Sequence, residues 1–159
     1  MELKNIFKLI LAIALCELAG GIGSVFTVSS LSGWYDGLTK PWLNPPSWIF
    51  GPVWITLYLL MGIAVFLVWT RLGIAKPRRQ GALLVFAAQL IFNAIWSAIF
   101  FGQHNLALAL TDVILLWFAI LATVLVFGRI SKPAAYLLWP YLIWVSFALY
   151  LNLTLWLLN

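Results

Sequence analysis

Five long apolar stretches, separated by short segments that hold nearly all the charged residues, constrain this chain more than any other feature. The chain is 65% hydrophobic and only 8% charged, and each stretch is long enough to cross a bilayer as a helix at about 1.5 Å per residue. None shows the polar and apolar alternation of a barrel strand. The sequence therefore predicts an all-α membrane protein, a single bundle of five transmembrane helices over residues 1–159. The expected spans are residues 6–28, 48–70, 81–101, 106–127 and 134–158.

The net charge of +5 is concentrated at one end of this predicted bundle. With five crossings, the N-terminus and the second and fourth loops share one side, which holds eight basic residues, while the other side holds only Lys40. This asymmetry predicts a cytoplasmic N-terminus and a C-terminus on the opposite side. Because the basic residues lie in short loops beside the spans, we expect no nucleic-acid partner. The eight residues are Lys4, Lys8, Arg71, Lys76, Arg78, Arg79, Arg129 and Lys132.

The first connection, residues 29–47, is much longer than the other three and is called the lid below. It combines Gly and Pro residues with the aromatic side chains of Trp34, Tyr35 and Trp42. A disordered linker would be polar and poor in aromatic residues, so we expect the lid to fold back on an apolar surface. The alternative is an aromatic belt that lies among the lipid headgroups.

Polar and aromatic residues inside the spans lie mostly in the half of the bundle beneath the lid. Counting inward at the helical rise places them roughly 8 to 15 Å from that end. Helical spacing also puts them on shared faces, and polar faces in hydrocarbon are expected to point into the bundle. This pattern favours an apolar, aromatic ligand cavity, although asparagine hydrogen bonding between helices and plain tryptophan packing remain alternatives. The residues are Trp54, Tyr58, Asn93, Trp96, Trp144, Ala148 and Asn152.

Three other residues suggest chemistry less strongly. Glu17 and Asp112 are isolated acids inside spans, which could serve as a proton relay, and His104 is the one histidine, which could contact a metal held in a bound ligand. We find no zinc, haem-attachment, hydrolytic or nucleotide-binding motif. We therefore expect no metal site, no resident cofactor and no conventional catalytic residue.

Small residues form a face on the third span that would let two membrane helices approach closely. Ala94, Ala98 and Gly102 are spaced four apart, and this spacing predicts either packing within the bundle or a homodimer seam. The first span has a weaker version of the same pattern, at Ala12, Cys16, Gly20 and Ser24.

Four segments together resemble the translocator protein family, whose bacterial members are called tryptophan-rich sensory proteins. They are WYDGLTKPWLNPPSW at 34–48, WITLY at 54–58, AQLIFNAIW at 88–96 and PYLIWVSFALYLN at 140–152. The resemblance follows the order and length of the family along nearly the whole chain. It implies a dimeric five-helix bundle whose lid covers a pocket for porphyrins, sterols and synthetic aromatic ligands.

The resemblance also implies which residues would contact the ligand. The chain departs from the animal members in the segment that recognises sterols, because no Lys or Arg follows Tyr150, although a reversed match runs from Lys132 through Tyr136 to Leu138. The implied pocket residues are Trp34, Tyr35, Pro45, Trp54, Tyr58, Asn93, Trp96, Trp144, Phe147 and Ala148.

Three functions are compatible with such a pocket. The first is a sensor or regulator that binds a tetrapyrrole such as protoporphyrin, and this is the function we expect. The second is an enzyme that degrades porphyrin in light, with Trp54 and Trp144 as the candidate catalytic residues, since indoles can donate electrons to a photoexcited ring. The third is a porphyrin or sterol transporter, although five spans without an internal repeat lack the usual pattern of alternating access.

The charge asymmetry leads to a direct test of orientation. A reporter fused after Asn159 should lie outside the cytoplasm, whereas one inserted within residues 76–80 should lie inside, because basic loops are retained on the cytoplasmic side. Paired phosphatase and fluorescent-protein fusions would measure both positions. A cytoplasmic C-terminus would contradict the prediction.

Overall fold

The computed structural model describes residues 3–159 and contains, within that range, five long helices and no strand. Each of the five is long and apolar enough to cross a membrane. The predicted class, an all-α bundle of five membrane helices, is therefore confirmed. The helices are α1 (Leu3–Ser30), α2 (Phe50–Trp69), α3 (Lys76–Ser97), α4 (Leu106–Gly128) and α5 (Lys132–Leu158).

The five helices form a closed ring in the order α1, α2, α5, α4, α3. Its core is made of aliphatic and aromatic side chains, including the fully buried Met61, Leu116, Phe127, Leu138 and Tyr141. The short loops after α3 and α4 make their flanking helices neighbours, as loops of that length predict. The loop after α2 joins helices that hardly touch, because α2 packs mainly on α1 and α5 and meets α3 only slightly. A short loop is therefore not sufficient to make α2 and α3 close neighbours here.

The contact between α1 and α2 depends on a glycine. A Cβ atom added at Gly62 would lie 2.6 Å from the Cα atom of Ile13, so the two backbones touch at this point. Small residues permit such close approach in membranes, where helices gain van der Waals contact but no hydrophobic effect from pairing.

Two helices change geometry at the lid end of the bundle. α1 is followed by a kink within Leu31–Tyr35, where Ser32 and Gly33 leave helical backbone angles and Gly33 has a φ of 147° that residues with a side chain rarely adopt. α3 continues into a π-helical turn, Ala98–Gly102, and this turn rotates the face that the sequence assigned to a dimer seam. A Cβ atom at Gly102 would lie 3.0 Å from the Phe26 ring of α1, so Gly102 faces its own bundle. The homodimer stays a prediction. Without Gly102, the predicted seam on α3 consists of Ala94 and Ala98, which are both half-buried.

The lid is folded against the bundle, as expected from its aromatic content. Tyr35 is only 2% exposed, packs near Phe101, and donates a hydrogen bond from its hydroxyl to Asn44 Oδ1 at 2.7 Å. The Asn159 side chain joins the lid to the end of α5, since it accepts from Thr39 N–H at 2.9 Å and donates to the Thr39 carbonyl at 3.1 Å.

Two tryptophans in and beside the lid fit the alternative of an aromatic belt among the lipid headgroups. Trp42, at the outer turn of the lid, is 92% exposed, and Trp48 at the start of the second span is 74% exposed. Both indoles therefore point away from the bundle, where interfacial tryptophans are found in membrane proteins.

Replacing Gly62 by alanine should separate α1 from α2. We expect Gly62→Ala to destabilise the protein by about 1–3 kcal/mol, because the added methyl group meets backbone atoms of Ile13 that cannot rotate away. Thermal unfolding of the detergent-solubilised protein would measure this effect. Gly81→Ala is the matched control, since its Cβ would meet nothing within 4 Å. Equal unfolding temperatures for wild type and Gly62→Ala would contradict the close approach.

Candidate ligand-binding cavity

A cavity of about 340 Å³ lies among α1, α2, α3 and α5 in the lid half of the bundle. This volume is within the range of small-molecule sites. A larger crevice of about 760 Å³ lies at the opposite, basic end, but it is a groove between loops and no aromatic side chain lines it. The aromatic residues that line the cavity are Phe50, Trp54, Tyr58, Trp96, Phe101 and Trp144.

The structure brings together the residues that depth and helical spacing selected within the spans. Trp54 stacks on Tyr58 with ring centroids 5.6 Å apart, and Trp144 meets Phe50 edge to face at 6.1 Å. The six predicted residues that line the cavity are Trp54, Tyr58, Asn93, Trp96, Trp144 and Ala148.

The four remaining predicted contact residues lie outside the cavity wall in this structure. Trp34 stacks on His104 with ring centroids 4.2 Å apart, and Tyr35 is a buried residue of the lid. Pro45 lies in the lid, where its carbonyl accepts from Asn44 Nδ2 at 3.1 Å. Phe147 packs behind Trp144, with ring centroids 5.7 Å apart. These residues support the wall and the lid here and do not face the cavity.

The inner end of the cavity, called the floor below, is fixed by a chain of buried hydrogen bonds. The Tyr58 hydroxyl donates to Asn93 Oδ1, and Asn93 Nδ2 donates to the Tyr141 hydroxyl at 2.8 Å. Gly20 of α1 lies directly against the Tyr58 ring, since a Cβ atom there would overlap the ring. The Tyr58 ring is therefore held between α1 and α3.

Trp96 is held by a residue that does not line the cavity. Its indole Nε1–H donates to Asn152 Oδ1 at 3.1 Å, and Asn152 Nδ2 donates to the Leu106 carbonyl at 2.9 Å. Asn152 is 1% exposed. Asn152 therefore orients Trp96 from behind and joins α3, α4 and α5.

The sequence did not identify the contribution of α1 to this cavity. The spacing of Gly20 and Ser24 indicated a small face on α1, but we interpreted it as helix packing. In the structure these small side chains leave space that the ligand cavity occupies, while Gly20 also contacts Tyr58. The lining residues on this helix are Glu17, Gly20, Gly21, Gly23, Ser24, Thr27 and Val28.

The cavity is open along one side, between α1 and α2. Lining residues on both edges are exposed, among them Ser24 and Val28 on α1 and Gly51 and Ile55 on α2. The two helices touch at Gly62, farther from the lid than these exposed residues. This side of the cavity is therefore open to the surroundings of the bundle.

Glu17, Asp112 and His104, the three residues considered for a proton relay or a metal contact, lie in three different environments. Glu17 lines the cavity, whereas Asp112 is buried in the bundle and does not, and Asp112 Oδ2 has no hydrogen-bond partner among the described residues. His104 stacks on Trp34 and lies with Nε2 3.2 Å from Ser30 Oγ, at the base of the lid. Within residues 3–159 no three His, Cys, Asp or Glu side chains are grouped closely enough to hold a metal ion.

Comparison with known proteins agrees with this architecture over almost the whole chain. A family profile described as TspO/MBR family matches residues 12–157. The tryptophan-rich protein TspO of Chlorobaculum tepidum is 47% identical over 156 residues, which are 98% of each chain.

Two further relatives are similar over most of the chain. The human translocator protein is 41% identical over 135 residues, which are 85% of this chain and 80% of the human protein. The tryptophan-rich sensory protein of Cereibacter sphaeroides is 42% identical over 120 residues, which are 75% of this chain and 72% of that protein. With a family match of this length and five membrane-length helices, the chain belongs to the TspO/MBR family and is a multi-pass membrane protein.

Proposed function

We propose that this protein binds a flat tetrapyrrole such as protoporphyrin in the cavity beneath the lid and acts as a sensor or regulator of tetrapyrrole level. The observation that carries the proposal is that three indoles from three different helices, Trp54, Trp96 and Trp144, line one cavity. Aromatic rings stack on a flat conjugated ligand with a gain of about 0.5–1.5 kcal/mol per contact beyond the buried area.

The open side of the cavity suits a large, poorly soluble ligand. Such a molecule dissolves in the bilayer, and the gap between α1 and α2 lets part of its ring remain in contact with lipid while the rest lies among the indoles. An enclosed cavity would have to open before so large a ring could enter.

The sensor role is supported by the contact between the cavity and the lid. Leu31 and Ser47, which lie near the two ends of the lid, both line the cavity. A ligand there would touch both ends of the lid, and this contact offers a route by which occupancy reaches the surface. One relative, the Cereibacter sphaeroides protein, is itself named a sensory protein.

The proposal includes an orientation. The basic residues of the α2 to α3 and α4 to α5 connections lie at the end of the bundle opposite the lid. We place the basic end in the cytoplasm and the lid and C-terminus on the other side, because basic loops are retained inside.

Removing two of the indoles should weaken binding. We expect Trp54→Ala combined with Trp144→Ala to lower protoporphyrin affinity roughly 5- to 150-fold, as the loss of two stacking contacts of about 0.5–1.5 kcal/mol each implies. Titration in the dark, followed by porphyrin absorbance and tryptophan quenching, would measure the dissociation constant.

The matched control removes two indoles from the outer surface of α5. Trp139 and Trp156 are 47% and 46% exposed, and neither lines the cavity. The Trp139→Ala, Trp156→Ala variant should therefore bind as the wild type does. Unchanged affinity in the Trp54, Trp144 variant would contradict the proposed site.

A second function, light-driven porphyrin degradation, is favoured by one specific observation. Trp54 and Trp144 both line the cavity, and within the described residues neither indole N–H has a hydrogen-bond acceptor. Two oxidisable indoles would therefore lie beside a bound ring.

Replacing both indoles by phenyl rings distinguishes light-driven degradation from binding alone. We expect the Trp54→Phe, Trp144→Phe variant to bind protoporphyrin within a few-fold of wild type, because phenyl rings keep most of the stacking surface. If the protein is an enzyme, the same variant should lose most of its degradation rate, since phenylalanine is far harder to oxidise. Loss of porphyrin absorbance under illumination measures the rate, and equal rates in both proteins would remove the enzymatic function.

A further inference from the structure

The polar groups that line the cavity divide into those already paired and those left free. Tyr58 and Asn93 bond to each other, and Trp96 bonds to Asn152. Ser97 Oγ donates to the Gly23 carbonyl at 2.8 Å, and Ser24 Oγ donates to the Gly21 carbonyl at 2.7 Å. Most of the hydrogen-bonding capacity of the wall is therefore used within the protein.

Glu17 is the only acid among the residues that line the cavity, and within the described part of the chain it is unpaired. Glu17 lines the cavity and is half-buried, yet the one ion pair among residues 3–159 joins Lys40 to Asp36, and no described side chain donates a hydrogen bond to Glu17. No Lys, Arg or His lines the cavity. An acid within a membrane span is costly and persists mainly where it faces a cavity or a partner.

The position of Glu17 places it at the floor. Among the α1 residues that line the cavity it is the farthest from the lid, and the nearby floor residues are Gly20, Tyr58 and Asn93. The edge of a ligand that enters most deeply would therefore meet a carboxyl group with free acceptor capacity.

We propose, on the basis of the binding function above, that Glu17 sets the charge selectivity of the cavity. It favours a ligand whose deepest edge carries an amine or another hydrogen-bond donor, and it excludes a carboxylate from the floor. A tetrapyrrole with acidic side chains consequently binds with those groups towards the lid and its apolar edge at the floor.

Three pyrene probes that differ in one substituent test this selectivity: pyrenemethylamine, pyrenemethanol and pyrenecarboxylate. Their fluorescence reports binding to the full-length protein in detergent. Comparing each probe across protein variants cancels its own partitioning into the detergent. Wild type should bind the amine at least about tenfold more tightly than the carboxylate, because opposite charges at contact attract strongly in a partly dehydrated site.

Two variants at position 17 separate charge from folding. Glu17→Gln keeps the shape of the side chain and should abolish the preference for the amine, while binding of the neutral alcohol stays within about twofold. Glu17→Asp keeps the charge and should keep the direction of the preference. Asp112→Asn is the matched control, since it neutralises a membrane acid outside the cavity wall and should leave the preference as in wild type.

The outcomes distinguish this proposal from the tetrapyrrole function. If protoporphyrin does not bind but the pyrene series shows a preference that depends on Glu17, the tetrapyrrole function fails and the charge selectivity stands. If wild type and Glu17→Gln rank the three probes alike, or if wild type shows no preference or binds none of them, the role of Glu17 is overturned.

Discussion

A polar group inside hydrocarbon must find its partner within the protein, and the shape of the cavity depends on this constraint. The Tyr58, Asn93 and Tyr141 side chains satisfy one another across α2, α3 and α5. Asn152 does the same for the Trp96 indole and an α4 carbonyl. These bonds determine where the rings of Tyr58 and Trp96 lie, and so they fix the position of the floor and of one wall of the cavity.

The helix with the fewest bulky inward-facing residues has the largest share in the cavity lining. On α1, Gly20 receives the Tyr58 ring and the residues beyond it leave open space. Close contact at Gly62 holds α1 to α2 towards the basic end, and exposed residues of both helices border the cavity towards the lid. Small residues thus allow tight packing at one depth, at Gly62, and line an open cavity at another, on α1.

The tryptophans divide between two environments. Trp54, Trp96 and Trp144 line the cavity, whereas Trp42 and Trp48 point outward near the lid. Composition alone does not separate these two groups, because an indole is suited both to a ligand wall and to a membrane interface. Depth along each helix separated the two groups in part. Trp34, a lid residue that stacks on His104, belongs to neither group.

The sequence by itself determined the class of the fold, because membrane-length apolar stretches without barrel alternation have one way to satisfy their backbone groups. It also selected six of the ten residues of α2, α3 and α5 that line the cavity, because helical periodicity assigns residues to faces. Only the tertiary structure decided the ring order, in which the short loop after α2 joins helices that hardly touch. It likewise decided that α1 contributes Glu17 and its glycines to the cavity, and that the π turn directs Gly102 towards Phe26. A sequence pattern assigns residues to the faces of one helix, but which neighbour each face meets depends on packing among all five.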